Sequence, residues 1–246
     1  MDESESLKQR TFAVKGISFT MIQVPGGTFT MGKTSEQEIY DYPFWGDDFN
    51  FFDDDYPTHQ VTLSSYSIGQ TEVTQELWEA VMGNNPSCCK GTEFPIENVS
   101  WDDCQTFINK LNNLTGKRFR LPTETEWDYA ARGGQSGGTK YAGSNSIDDV
   151  AWYIDNFDPG SNIVGTKQPN RLGIYDMSGN VWEWCNDWYG DYSSGSQTNP
   201  HGPSTGSRRV CRGGGWNYDA GYCRVSLRGS ETPGSRDNSL GLRLAL

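Results

Sequence analysis

"RLPTETEWDYAARGG", residues 120–134, holds a helix together with its start and its stop. Thr123 followed three residues later by Glu126 is a capping box. The threonine hydroxyl and the glutamate carboxylate each satisfy a backbone N–H that the first helical turn leaves open. Gly133 and Gly134 then close the helix, because glycine enters the left-handed conformation without a Cβ clash. Upstream, Thr74 caps "QELWEAVMG", with Leu77, Trp78 and Val81 on one side and Gly83 past the end. Ser100, three residues before Asp103, caps a further helix whose Trp101, Cys104, Phe107, Ile108, Leu111 and Leu114 fall near helical spacing. Cys104 therefore reads as a small buried hydrophobe.

The rest of the chain contrasts with these three helices. "ISFTMIQVPGGTFTMG", residues 17–32, places β-favouring residues either side of Pro25-Gly26-Gly27 and predicts a hairpin there. "HQVTLSSYSIGQTEVT", residues 59–74, continues as short extended segments. From 134 to 209 Gly, Ser, Asn, Asp and Pro punctuate aromatic pairs such as Trp152-Tyr153 and Trp188-Tyr189, which predicts loops pinned by buried rings. Helices and strands are segregated rather than alternating, so the reading is α+β with short antiparallel strands and three short helices. No solenoid or propeller period is present.

Composition bounds the function. The chain has 246 residues, enough for one large domain, and only 34% are hydrophobic while 13% are aromatic and 29 are glycine. That favours a core of large rings in a loop-rich chain over a helical bundle. A formal charge of −12 argues against nucleic acid, whose binding draws on cations that neutralise phosphates. "DDFNFFDDDY", residues 47–56, reads as a solvated insertion, with a cation site as the alternative. No stretch approaches the roughly 20 apolar residues of a membrane span. The opening "MDESESLKQR" is too polar for a signal peptide, so a native N-terminus implies a cytoplasmic or phage-associated protein and a trimmed leader an exported one. Six cysteines without a CxxC pair leave the compartment open. His59 and His201 are too few for a histidine-rich metal set, and His59 reads as a scaffold residue. No serine sits in a nucleophile elbow, and neither "GQSGG" nor "GGG" continues as a phosphate loop.

Several segments in order resemble the formylglycine-generating enzyme, or sulfatase-modifying factor, family: "VPGGTFTMG", "EVTQELWEAVMG", "PIENVSWDDCQTFINKLN", "RLPTETEWDYAARGG", "PNRLGIYDMSGNVWEWCNDWY", "RVCRGGGW" and the closing "LGLRL". The resemblance covers residues 19–246, leaving 1–18 as an N-terminal extension. It implies a variant of the C-type lectin fold. Catalytic members hold copper(I) on two cysteines five residues apart and oxidise a substrate cysteine. Here the pattern puts Cys223 at the second position but Tyr218 at the first. Soft thiolates are what hold Cu(I), so no copper is expected. Cys223 reads as a structural residue between Tyr222 and Arg224, and a substitute pair of Cys211 with Cys223 is the enzyme alternative.

"YDMSGNVWEW" matches a calcium site of the family, and the resemblance puts Asp176, Glu183 and the backbone oxygens of Gly179 and Val181 around the ion. Carboxylates and carbonyls together suit hard Ca²⁺. The alternative is that Asn180 and Glu183 brace the turn while Trp182 and Trp184 fill the core. The family's other calcium site has no match.

Residues 212–244, "RGGGWNYDAGYCRVSLRGSETPGSRDNSLGLRL", combine two texts. Paired glycines, Trp216, Arg224, Arg228, Arg236 and Arg243 are fixed points. Between them lie Tyr, Ser, Gly, Asn and Asp, the composition of binding loops, where tyrosine gives contact area at small entropy cost. This arrangement resembles the variable proteins of diversity-generating retroelements, which mutate adenines in a carboxy-terminal cassette of C-type lectin folds. Most of these residue types are reached from an Asn codon; Glu231 is not. The expectation is a ligand-binding face with Asn217, Tyr218, Asp219, Tyr222, Leu227, Ser230 and Asp237 exposed, taking a protein or a glycan. The alternative is that the segment completes the core, with Tyr222 and Leu227 inward.

Overall fold

A computed structural model describes residues 8–34, 55–135, 138–157 and 160–246. β1 (Gln9–Val14) and β2 (Ile17–Val24) form an antiparallel hairpin with Val14 opposite Ile17. Its two turn residues, Lys15 and Gly16, have φ of 48° and 86°, a turn whose twist matches that of the flanking strands. Residues 9–14, assigned from the sequence to an extension, are thus a strand of the first sheet, and Phe12 packs edge-on against Phe119.

The hairpin expected at Pro25-Gly26-Gly27 does not form. β2 pairs onward with β5 (Tyr66–Gly69), whereas β3 (Gly27–Met31) pairs with β4 (His59–Leu63). The Gly26 N–H donates to Ser65 Oγ at 2.9 Å, and a Cβ on Gly26 would lie 2.6 Å from the Leu63 carbonyl oxygen. Close approach to the β4–β5 corner therefore makes the Pro-Gly-Gly step a crossing between two sheets.

The three caps stand where the sequence puts them. α1 (Gln75–Met82), α2 (Trp101–Thr115) and α3 (Glu124–Ala131) start after Thr74, Ser100 and Thr123, with reciprocal capping boxes at the last two. Leu114, expected on the apolar stripe of α2, is 50% exposed because the last turn runs past the core. A further short helix, α4 (Ile147–Val150), falls in the irregular stretch. α3 is buried on nearly every side, Glu124 and Asp128 included, so it must carry its charges inward and have them answered there.

The answer comes from the C-terminal sheet. Its order is β10 (Leu240–Leu242), β6 (Trp182–Trp188), β8 (Arg209–Arg212), β9 (Arg228–Glu231). β10 lies parallel to β6, and in the third sheet β7 (Gln197–Thr198) lies parallel to β4, so the strands are not all antiparallel. Arg212 and Arg228 reach from this sheet to Asp128 and Glu124 of α3. Trp184 is fully buried and Trp182 7% exposed. Most of the acidic segment lies outside the described residues. Asp55 at its end is 2% exposed and accepts a hydrogen bond from Ser226 Oγ at 2.8 Å, a buried brace rather than a solvated carboxylate. Among the described residues no helix is long and apolar enough to cross a membrane.

Candidate functional site

Between β9, the loop at 232–239 and the 3₁₀ turn Ala220–Cys223 the C-terminal segment leaves a groove of about 600 Å³. Its lining includes Trp182, Cys211, Leu227 and Leu240, with Tyr218, Tyr222, Ser230, Glu231, Ser235, Asp237 and Ser239 around them. The aromatic side is a ladder. The rings of Trp182 and Tyr218 meet edge-on at 5.6 Å and 85°, and those of Tyr218 and Tyr222 at 5.3 Å and 61°. Gly229 makes room for it: a Cβ there would come within 2.8 Å of Trp182 Cζ3 and 2.9 Å of Cys211 Sγ.

The groove is held from behind and from the side. Arg228 donates to both oxygens of Glu124, at 2.6 and 2.8 Å, and lies over the rings of Tyr189 and Tyr192. Arg236 reaches α2, donating to Asp103 at 2.8 and 3.0 Å. The Trp216 indole N–H donates to the Asn238 carbonyl, and the Asn98 N–H to that of Asp237, which fixes the loop. The residues read as fixed points do fix the backbone here.

Of the seven residues expected on this face, Tyr218, Tyr222, Leu227, Ser230 and Asp237 line the groove, and Asn217 and Asp219 do not. Leu227, expected to be exposed, is only 3% exposed; it packs into the core and lends its edge to the groove. Tyr218 and Tyr222 are half-buried. Sequence reasoning missed Trp182, assigned wholly to the core, and counted Gly229 among the loose positions. A glycine opposite a cysteine on neighbouring strands, Cys211 with Gly229, was the available signal, but it needs the β8–β9 register to be seen.

The two cysteines of the enzyme alternative sit in different apolar clusters. Cys211 packs with Trp182 and Leu227; Cys223 packs with Tyr141, Val150 and Tyr153. Burial pushes the Cys223 thiol up to about 12 and raises Cys211 further, so both favour the protonated form.

At the turn of residues 176–183, Asp176 and Asn180 adopt positive φ of 58° and 61°. Glu183 is consumed: Arg243 donates to both its oxygens and the Trp127 indole to one, at 2.6 Å. Asp176 Oδ2 accepts from the Gly165 N–H at 2.6 Å, while its buried Oδ1 has no partner among the described residues. Burial raises this carboxyl to about 6. Asn180 is bound to Glu72 at 2.9 Å and braces the turn. Among the described residues no three His, Cys, Asp or Glu side chains form a metal cage. Arg243 and the Trp127 indole thus occupy the Glu183 oxygens expected on calcium, whereas Asp176 Oδ1 stands without a partner among the described residues.

The sequence profile of the sulfatase-modifying factor enzyme 1-like domain matches residues 11–246. The chain belongs to this family. Among relatives of this sulfatase-modifying factor domain, the chain is 32% identical to chaperone protein LppX of Paenibacillus barcinonensis, over 93% of this chain and 89% of that protein. It is 34% identical to the formylglycine-generating enzyme of Streptomyces coelicolor, over 68% of this chain and 57% of that one. Among solved structures, Treponema denticola variable protein 1 has a TM-score of 0.83 at 34% identity, covering 96% of this chain and 98% of that one. PvdO from Pseudomonas aeruginosa has a TM-score of 0.77 at 25% identity, covering 96% and 97%. The fold is thus the C-type lectin-like variant of the sulfatase-modifying factor family, shared with a variable protein.

Proposed function

We propose that the chain is a non-catalytic binding member of its family. It presents the C-terminal groove to a macromolecular ligand, protein or glycan, as the variable protein of a diversity-generating retroelement. The observation that carries this reading is that Tyr218, Tyr222, Ser230 and Asp237, four residues of the binding-loop composition, line one groove whose frame is made of buried ion pairs. A rigid frame beneath adaptable side chains lowers the ordering cost of binding, which lets the contact residues change without loss of the fold. The likeness to Treponema denticola variable protein 1 supports the same assignment.

Comparing the gene among sister isolates tests it. Codons for Tyr218, Tyr222, Ser230 and Asp237 should differ while those for Arg212, Trp216, Arg228 and Arg243 stay fixed, beside a downstream near-copy carrying adenines at the variable codons. Invariant codons with no such copy overturn the retroelement assignment.

The turn at 176–183 supports a second, separate proposal, a calcium ion held by Asp176 and the carbonyls of Gly179 and Val181. An unpaired buried oxygen calls for a cation or a donor.

A further inference from the structure

The polar lining of the groove is unbalanced in favour of acceptors. Asp237 accepts through Oδ1 from the N–H and hydroxyl of Ser239, at 2.8 and 2.6 Å. Glu231 accepts through Oε2 from Ser235 Oγ at 3.2 Å. Among the described residues neither Asp237 Oδ2 nor Glu231 Oε1 takes a hydrogen bond, and Ser235 Oγ also lies 2.7 Å from Thr232 Oγ1, where either hydroxyl can donate. Of the three lining arginines, Arg228 is neutralised by Glu124 and Arg236 by Asp103. Exposed Arg208 is the exception, and it donates to the Ser230 carbonyl at 3.0 Å. Among the described residues two carboxylates thus stand against one cation without an acidic partner, in a chain of net charge −12.

Around those carboxylates stands the edge-on ladder of Trp182, Tyr218 and Tyr222, whose ring faces are themselves negative. The Tyr218 phenol is raised first by burial and then by the Asp237 charge, with Glu231 adding, so the carboxylates act on the space beside that ring. A donor-only, positively charged group matches both features; a sugar hydroxyl, donor and acceptor at once, uses only part of them.

We propose that the groove takes a lysine or arginine side chain of a protein partner, its charge on Asp237 and Glu231 and its stem along Tyr218 and Tyr222. This rests on the groove being the binding site. The aliphatic stem covers apolar ring surface while the head pairs with the rim, and loss of either contact weakens the whole.

Titrating the full chain with N-acetyl-lysine methylamide, its arginine counterpart, the neutral Nε-acetyl-lysine compound and methyl glucoside tests the assignment. Binding is read from the Trp182 indole resonance at up to tens of millimolar probe. The two cations should bind at least roughly fivefold more tightly than the neutral analogue. Asp237→Asn and Glu231→Gln keep their acceptor atoms and should weaken the cations alone. Tyr218→Phe should bind as before, whereas Tyr218→Leu should lose binding while its unfolding transition stays well above the temperature of the titration. Equal binding of the neutral analogue, or stronger binding of the glucoside, overturns the cationic assignment and leaves the groove as the site. No response to any probe also overturns it, while the groove reading is decided separately by the codon comparison.

Discussion

Arg212 Nη2 donates to Asp128 Oδ2 at 2.7 Å, with both side chains fully out of solvent. The same guanidinium donates to the Ser226 and Val225 carbonyls at 2.9 and 2.8 Å, so one residue joins α3, β8 and the segment leading into β9. Arg212→Met leaves two carbonyls unpaired and Asp128 with Arg132 alone. The expected loss is about 3–5 kcal/mol in chemical denaturation. A loss under about 1 kcal/mol would show that the frame beneath the groove does not depend on this ion pair.

Gly229→Ala should destabilise by about 1–3 kcal/mol, because the Trp182 ring and Cys211 sulfur must move to admit the methyl. Gly234→Ala, where an added Cβ meets nothing within 4 Å, is the control and should be near neutral. Equal melting temperatures for the two variants would refute the close packing behind the groove.

With copper(I), oxygen and a cysteine peptide of the sulfatase type, the chain should give no aldehyde. The supporting observation is the pair of protonated, separately buried thiols at Cys211 and Cys223. Turnover that disappears in Cys223→Ser would restore the enzyme reading.

Calcium should raise the melting temperature, since an ion bound only by the folded state stabilises it, by about 2.7 kcal/mol at a hundredfold excess over Kd. Asp176→Asn should abolish the rise. Identical melting curves in chelator and in millimolar calcium would leave Asn180 and the Arg243–Glu183 pair as the whole support of the turn.

Asp187 is 2% exposed, and burial, with the Glu124 charge adding, raises its carboxyl to about 7. A folded pKa above the unfolded one means its contribution is fully present below the ordinary aspartate range near 3.8 and is lost as pH rises through about 7. Asp187→Asn keeps an acceptor for the Glu124 N–H and should flatten the decline, making the variant the more stable above pH 7 by about 2–4 kcal/mol. Parallel stability curves for the two proteins would show that Asp187 ionises normally.

Capping is local, so Thr74, Ser100 and Thr123 were legible as helix starts from residues a few positions apart. The aromatic, glycine-rich composition and the ordered motifs likewise determined the fold class, and the mix of Tyr, Ser and Asp in the tail marked the segment that forms the groove. Only tertiary structure decided which residues meet there. The Pro25-Gly26-Gly27 step looks like a turn until the β4–β5 corner is set against it, and Trp182 looks like core until Gly229 is placed across from Cys211. Glu183 looks like a calcium ligand until Arg243, sixty positions later, occupies its oxygens. Caps and strand propensities act between neighbours in the chain. Cross-strand register and buried charge pairing act between residues far apart in it, and their partners are fixed only when the whole core closes.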